Sequence, residues 1–174
     1  MAVGRWLPPE SQDGGDLIGR NPTDRGKNGT KHSILVEADG GPLSIVIAGA
    51  NVHDTKLLAA TLSAIVVERP VPTADAPQHL CLDKGYDNPT GRAATAAADY
   101  TPHIRRIGEE KLDDAGKKTF PARRWVVERT LAWLSKCRAL LIRYDKKSRN
   151  YLGLLKLGCA LLWSRRLDRL GGLA

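Results

Sequence analysis

The pattern of apolar and polar positions divides the chain into an irregular start, a strand-rich first half and a helical second half. Residues 1–30 are rich in Gly, Pro, Asp and Asn and show no sustained apolar period. Residues 32–38 and 43–48 are two apolar, β-branched runs joined by an Asp-Gly-Gly-Pro turn. This composition predicts an antiparallel β-hairpin.

Beyond the hairpin, apolar spacing and capping residues predict elements of both kinds. They are a helix opening near 51–55, a strand at 80–82, an alanine-rich helix at 89–98, a strand at 100–104, and two helices within 121–170 that divide near 145–150. This order is typical of a mixed α/β fold with helices packed on a sheet. We expect an irregular segment over residues 1–20 followed by one domain over residues 21–170.

Composition and cysteine spacing predict a globular protein of the cytoplasm. The chain has 174 residues, of which 42% are hydrophobic and 26% charged, enough to bury a core. The three cysteines have no CxxC spacing and lie in apolar surroundings, so they are expected to be reduced in a cytoplasmic protein. The leucine-rich run at 151–163 contains Lys156 and is too short for a bilayer span, so no membrane partner is expected.

Positive charge is concentrated in the second half of the chain. Residues 1–100 hold 9 Lys and Arg against 12 Asp and Glu, whereas residues 101–174 hold 18 against 7. Basic surface of this density suits a polyanion such as DNA, because each phosphate contact releases condensed counterions. Solvated helix faces are the alternative interpretation of any single basic pair.

Two acids occupy positions where carboxylates often act in chemistry. Asp83 directly follows the apolar run Leu80 to Leu82. Glu128 borders a helical stripe made of Val127, Leu131, Leu134 and Leu141. Taken singly, Asp83 could simply end a strand, and Glu128 could form an ion pair with Arg124 four residues earlier. Taken together, they could bind a divalent cation if the fold brings them close, because hard cations take oxygen ligands.

The tryptophans of the second half are candidates for contact with nucleobases. Trp125, Trp133 and Trp163 could stack on nucleobases, but tryptophans in apolar helices usually belong to the core. We therefore predict that all three pack inside.

Three stretches resemble the DDE-type transposases of bacterial insertion sequences, close to group five. They are the segment from Asn21 to Asp54, the sequence LCLDKGYD around Asp83, and the sequence RWVVERTLAWLSKCRALLIRYDK around Glu128. The resemblance implies an RNase H-like mixed sheet flanked by helices, and metal-dependent cleavage and strand transfer of insertion-sequence ends. It implies Mg²⁺ or Mn²⁺, two ions in a complete site, with transposon-end and target DNA as partners.

The resemblance assigns roles to individual residues. Asp83 matches the second catalytic acid and Glu128 the terminal glutamate, and both would bind metal. The expected DNA-binding residues are Arg124, Lys84, Lys136 and Arg129. Related transposases often have a tyrosine three residues before the position of Arg124 and a lysine seven residues after that of Glu128. Pro121 and Ser135 occupy these positions here.

The start of the chain departs from the family, whose first catalytic aspartate lies on the first strand of the sheet. No strand pattern surrounds Asp13 and Asp16, so we expect that both the first strand and its acid are missing. The chain would then be a C-terminal product or truncated fragment, nearly inactive alone, completed by an upstream-frame product or a homo-oligomer. A non-catalytic DNA-binding remnant and a metal-dependent nuclease of similar fold are the alternative functions.

Overall fold

The computed structural model describes residues 1–6, 14–104, 124–169 and 171. The predicted hairpin is confirmed: strand β3 (Asn28–Val36) pairs antiparallel with β4 (Pro42–Gly49). The turn between them is closed by Glu37, whose carboxylate accepts hydrogen bonds from the backbone N–H groups of Asp39 (2.8 Å) and Gly41 (2.7 Å).

The expectation that the first strand is missing is wrong. Strand β1 (Ala2–Trp6) lies within the segment predicted to be irregular, and it pairs antiparallel with β3 from Ala2↔Val36 to Trp6↔His32. On its other edge β1 runs parallel to strand β5 (His79–Leu82), with Ala2 opposite Cys81. Pairing on both edges stabilises a strand that is too short and too irregular in hydrophobicity to be recognised from local sequence.

The remaining elements complete a mixed sheet with helices on both faces. In chain order they are β2 (Gly19–Arg20), α1 (Asp54–Ser63), α2 (Pro89–Ala97), β6 (Thr101–Ile104), α3 (Arg124–Ser135), α4 (Arg138–Leu141) and α5 (Ser148–Arg169). The strand path is β2-β3-β1-β5-β6. β4 lies off this path and pairs with β3 on the edge opposite β1. This architecture is consistent with the RNase H-like fold.

Each face of the sheet has its own hydrophobic core. Ala2, Ile34 and Val36 pack with residues of α3, α4 and α5, whereas Val3 and Leu35 pack with residues of α1 and of the segment around α2. The division follows the alternation of side chains along β1 and β3. All three cysteines are free and partly buried against the α3–α5 core, which agrees with their predicted reduced state.

The described residues of the second half form three helices rather than the two predicted, because the chain breaks between α3 and α4 at residues 136–137. The predicted division near 145–150 corresponds to the loop that leads from α4 to α5. That loop contains Arg143, which is only 1% exposed. Its guanidinium donates hydrogen bonds to the Thr30 hydroxyl (2.7 Å) and to the carbonyls of Asp145 (2.8 Å) and Lys146 (3.1 Å). Asp16 lies 3.4 Å from the same guanidinium and accepts a 2.7 Å hydrogen bond from the backbone N–H of Ser148 at the start of α5.

We expect Arg143→Met to destabilise the protein by about 3 kcal/mol, since it leaves several buried acceptors without their donor. Chemical denaturation followed by circular dichroism measures the effect. Arg149→Met, at an exposed position of α5, is the matched control and should change stability by less than about 0.5 kcal/mol. Equal losses in the two variants would contradict a structural role for the Arg143 contacts.

Burial lowers the pKa of His32 from 6.5 to about 3, and the charge of Arg143 acts in the same direction. The unfolded chain therefore binds a proton below about pH 6.5 that the folded protein does not take up. The free energy of unfolding should fall by about 2 kcal/mol from His32 alone between about pH 6.5 and 5. Urea denaturation at a series of pH values should give a shallower fall for His32→Leu, and parallel curves would refute this assignment.

Candidate active site

Asp83 lies at the exposed end of β5, where the chain leaves the sheet. Its carboxylate Oδ1 accepts a 2.8 Å hydrogen bond from the backbone N–H of Lys84 and so caps a single 3₁₀ turn over Lys84–Tyr86. Asn88 then caps α2 by accepting a hydrogen bond from the backbone N–H of Gly91 at 2.9 Å. This position fits both interpretations of Asp83, a residue that ends a strand and a metal ligand, because the side chain follows β5 directly and is open to solvent.

A close approach between α3 and the sheet lies beside this strand end. A Cβ atom at Gly4 would lie only 2.7 Å from both Cγ atoms of Val127, so the helix rests directly on the backbone of β1. Continuing the Ala2↔Cys81 register by two residues brings Gly4 level with Asp83. Asp83 directly follows β5 and has an extended backbone (φ −73°, ψ 158°). Cys81, two residues earlier, packs against the core to which α3 contributes.

Glu128 is the residue after Val127 on α3 and is exposed. The predicted helical stripe is confirmed for Val127, Leu131 and Leu134, all of which are buried. Leu141, which the same spacing placed in the stripe, instead belongs to α4 and is 39% exposed. The two predicted acids therefore lie on elements that both neighbour β1, one alongside it and the other across its face.

The strand between these acids supplies no carboxylate, because residues 1–6 contain neither Asp nor Glu. Asp16 is used elsewhere: its Oδ2 accepts a 2.6 Å hydrogen bond from the Ser148 hydroxyl, which holds the pKa of Asp16 below its ordinary value. Asp13 lies outside the described residues. Throughout the part of the chain that is described, no three His, Cys, Asp or Glu side chains come together as a metal site.

β1 instead brings a cation to this edge of the sheet. Arg5 pairs with Asp54 at 2.5 Å, and the almost fully buried Lys31 pairs with the same carboxylate at 2.8 Å. Burial raises the pKa of Tyr86; the charges of Asp54 and Asp83 raise it further, and the charge of Arg5 lowers it. Sequence reasoning missed this cluster, and its only local signal was a lysine within an apolar strand.

The four predicted DNA-binding residues differ in their surroundings. Lys84 and Lys136 are exposed. Arg129 donates a hydrogen bond to the backbone carbonyl of Asp39 and lies over an aromatic ring of α3, so its guanidinium also joins the helix to the β3–β4 turn. Arg124 is the first residue of α3, and its side chain lies outside the described part of the structure.

Some basic residues of the second half form contacts within the protein. Arg143 is buried, and Arg166 pairs with Glu37 at 2.5 Å. The exposed cations on α4, α5 and the preceding loops are Lys136, Arg138, Lys146, Lys147, Arg149, Lys156, Arg165 and Arg169. Among the helices that the structure describes, none has the length and apolar character needed to cross a bilayer.

Comparison with known proteins agrees with the fold and with the two acid-bearing motifs. Residues 8–163 match the family model described as the transposase DDE domain. The chain is also 36% identical over 170 residues to a protein of Burkholderia cepacia named as a transposase for insertion sequence element IS402. That alignment covers 95% of this chain and 75% of the relative. The chain therefore belongs to the DDE transposase family of bacterial insertion sequences, and its function is that of a DNA transposase.

Proposed function

We propose that Asp83 and Glu128 are two of the carboxylates at the catalytic centre of this transposase, and that the chain by itself binds DNA without cutting it. One observation carries the proposal: α3 lies on β1 at Gly4, next to the strand that ends at Asp83. Both acids are exposed.

Membership of the DDE family implies dependence on a divalent metal ion. The described residues do not fit a complete metal site, because no third His, Cys, Asp or Glu joins the two acids. Our proposal is that a completed site would hold two Mg²⁺ or Mn²⁺ ions, with Asp83 and Glu128 among their ligands. Carboxylate oxygens are the ligands that these cations prefer.

Among the residues that the structure describes, the proposed site lacks an acid rather than a strand. Because β1 already lies between β3 and β5, a strand from another chain could enter the centre of the sheet only by displacing Ala2–Trp6. An upstream-frame product or a second copy of this chain would therefore have to bring a carboxylate to the edge of β1.

DNA would lie along the exposed basic surface of the second half and reach the ends of β5 and α3. Lys84, next to Asp83, and Lys136, directly after α3, are exposed cations. Arg124 and Arg129 are the remaining DNA-binding candidates on α3. The contact of Arg129 with the Asp39 carbonyl favours a positioning role for that residue.

Adding a carboxylate at Gly4 should create a metal site. The double substitution Gly4→Asp/Val127→Ala supplies an acid level with Asp83 and removes the two Cγ atoms that would clash with it. We expect Mn²⁺ binding, measured by electron paramagnetic resonance, to appear in this variant and to be absent from the natural chain. Likewise, the double variant should nick DNA in Mg²⁺, and the natural chain should not.

The matched control is Gly4→Asn/Val127→Ala, which has the same shape without the charge. Adding Glu128→Gln to the acidic variant should weaken Mn²⁺ binding at least tenfold and abolish nicking, while DNA affinity stays within about twofold. Unchanged Mn²⁺ binding after Glu128→Gln would remove Glu128 from the site. Cleavage by the natural 174-residue chain in Mg²⁺ would overturn the proposed inactivity.

DNA affinity should fall steeply with salt, because counterion release drives the binding. Lys84→Ala/Lys136→Ala should lower the affinity for duplex DNA and reduce the slope of log affinity against log salt by about 2. Fluorescence anisotropy over a salt series measures both quantities. Lys56→Ala, an exposed lysine of α1 in the acidic half, is the control, and an equal effect there would refute the assigned surface.

A further inference from the structure

Trp125 contradicts the prediction that the tryptophans of the second half pack inside. Its side chain is 56% exposed, although the next two residues, Val126 and Val127, are 1% and 3% exposed. By contrast, Trp133 and Trp163 are partly buried against the two cores, as predicted. The first turn of α3 therefore presents a large aromatic ring to solvent where packing does not require one.

The exposed ring is held in place by a cation. The guanidinium carbon of Arg129 lies 4.8 Å from the centroid of the Trp125 ring, and Arg129 is itself bonded to the backbone carbonyl of Asp39. A guanidinium over an indole face is a favourable cation–π arrangement. The contact with the β3–β4 turn thus orients the guanidinium that covers one face of the ring.

The ring also lies close to the proposed centre. Trp125 and Glu128 are three residues apart on α3, a separation that makes side chains neighbours on a helix surface. Exposed lysines follow at Lys136 and occur at Lys84 beside the other acid. An aromatic plane within a basic surface is the combination that binds unpaired nucleotides, since the cations attract the backbone and the ring stacks on a base.

We propose that Trp125 is a stacking platform for one unpaired nucleobase of the DNA, with Arg129 supporting the opposite face of the indole. The ligand class is single-stranded or frayed DNA, because a base inside a duplex has no free face to offer. The proposal rests on the proposed function for its location beside Glu128, but the stacking itself needs neither metal nor catalysis. Trp125 would act by positioning the strand next to the acids.

The test compares the affinity of the full chain for a short single-stranded oligonucleotide and for a blunt duplex of the same sequence. Trp125→Ala should weaken single-strand binding by roughly 5- to 150-fold, the range for loss of one base–aromatic stack. Duplex binding should stay within about twofold. Trp125→Phe should recover most of the single-strand affinity, because a smaller ring still stacks.

Tyr144→Ala is the matched control, since Tyr144 is a similarly exposed aromatic residue at 60%. It should leave both affinities unchanged. A second measurement uses 2-aminopurine in the single strand: the natural chain should quench its fluorescence on binding, and Trp125→Ala should bind at saturating concentration without that quenching. Circular dichroism establishes that each variant is folded.

Unchanged single-strand affinity in Trp125→Ala, or equal losses for single strand and duplex, would overturn the stacking proposal. These outcomes are independent of the proposed function. If Glu128→Gln leaves Mn²⁺ binding intact in the acid-restored variant while Trp125→Ala still loses single-strand binding, the catalytic assignment fails and the stacking site stands. If Glu128→Gln loses Mn²⁺ binding in the acid-restored variant while Trp125→Ala keeps its single-strand affinity, the stacking site is rejected and the catalytic assignment stands.

Discussion

The contact between α3 and β1 at Gly4 is the constraint on which the rest of the site depends. Only a residue without a side chain allows Val127 to lie directly on the strand, and this approach brings the helix that carries Glu128 down to the sheet. β1 in turn is held by β3 on one edge and β5 on the other. The placement of the two elements that carry Asp83 and Glu128 is thus a consequence of backbone packing.

The residues of β1 also limit which metal ligands are available beside Asp83. A DDE transposase needs carboxylates to bind divalent metal, yet residues 1–6, which include the central strand, contain neither Asp nor Glu. Arg5, Lys31 and Asp54 form a compensated cluster instead. Fold and family are therefore preserved in a chain whose described residues bring no three His, Cys, Asp or Glu side chains together as a metal site.

The elements with strong local patterns were predictable. The hairpin of β3 and β4, the strand ending at Asp83 and the stripe of α3 each follow from periodicity and turn chemistry within a few residues. β1 was not predictable in this way, because its five residues include Gly4 and Arg5 and gain their stability from two partners far away in sequence. The break between α3 and α4 at residues 136–137 was also missed, because no Gly or Pro marks it in the sequence, whereas the division before α5 was predicted.

The sequence by itself determined the order of the elements, the local settings of Asp83 and Glu128, and the family, because each of these depends on neighbouring residues or on motifs read in order. The tertiary structure alone decided that Ala2–Trp6 is the central strand, that Arg5 joins the Asp54 cluster and that Trp125 faces solvent beside Glu128. Those features depend on which distant segments meet. Strand pairing and side-chain exposure are set by long-range packing, and a local pattern of apolar residues does not encode them.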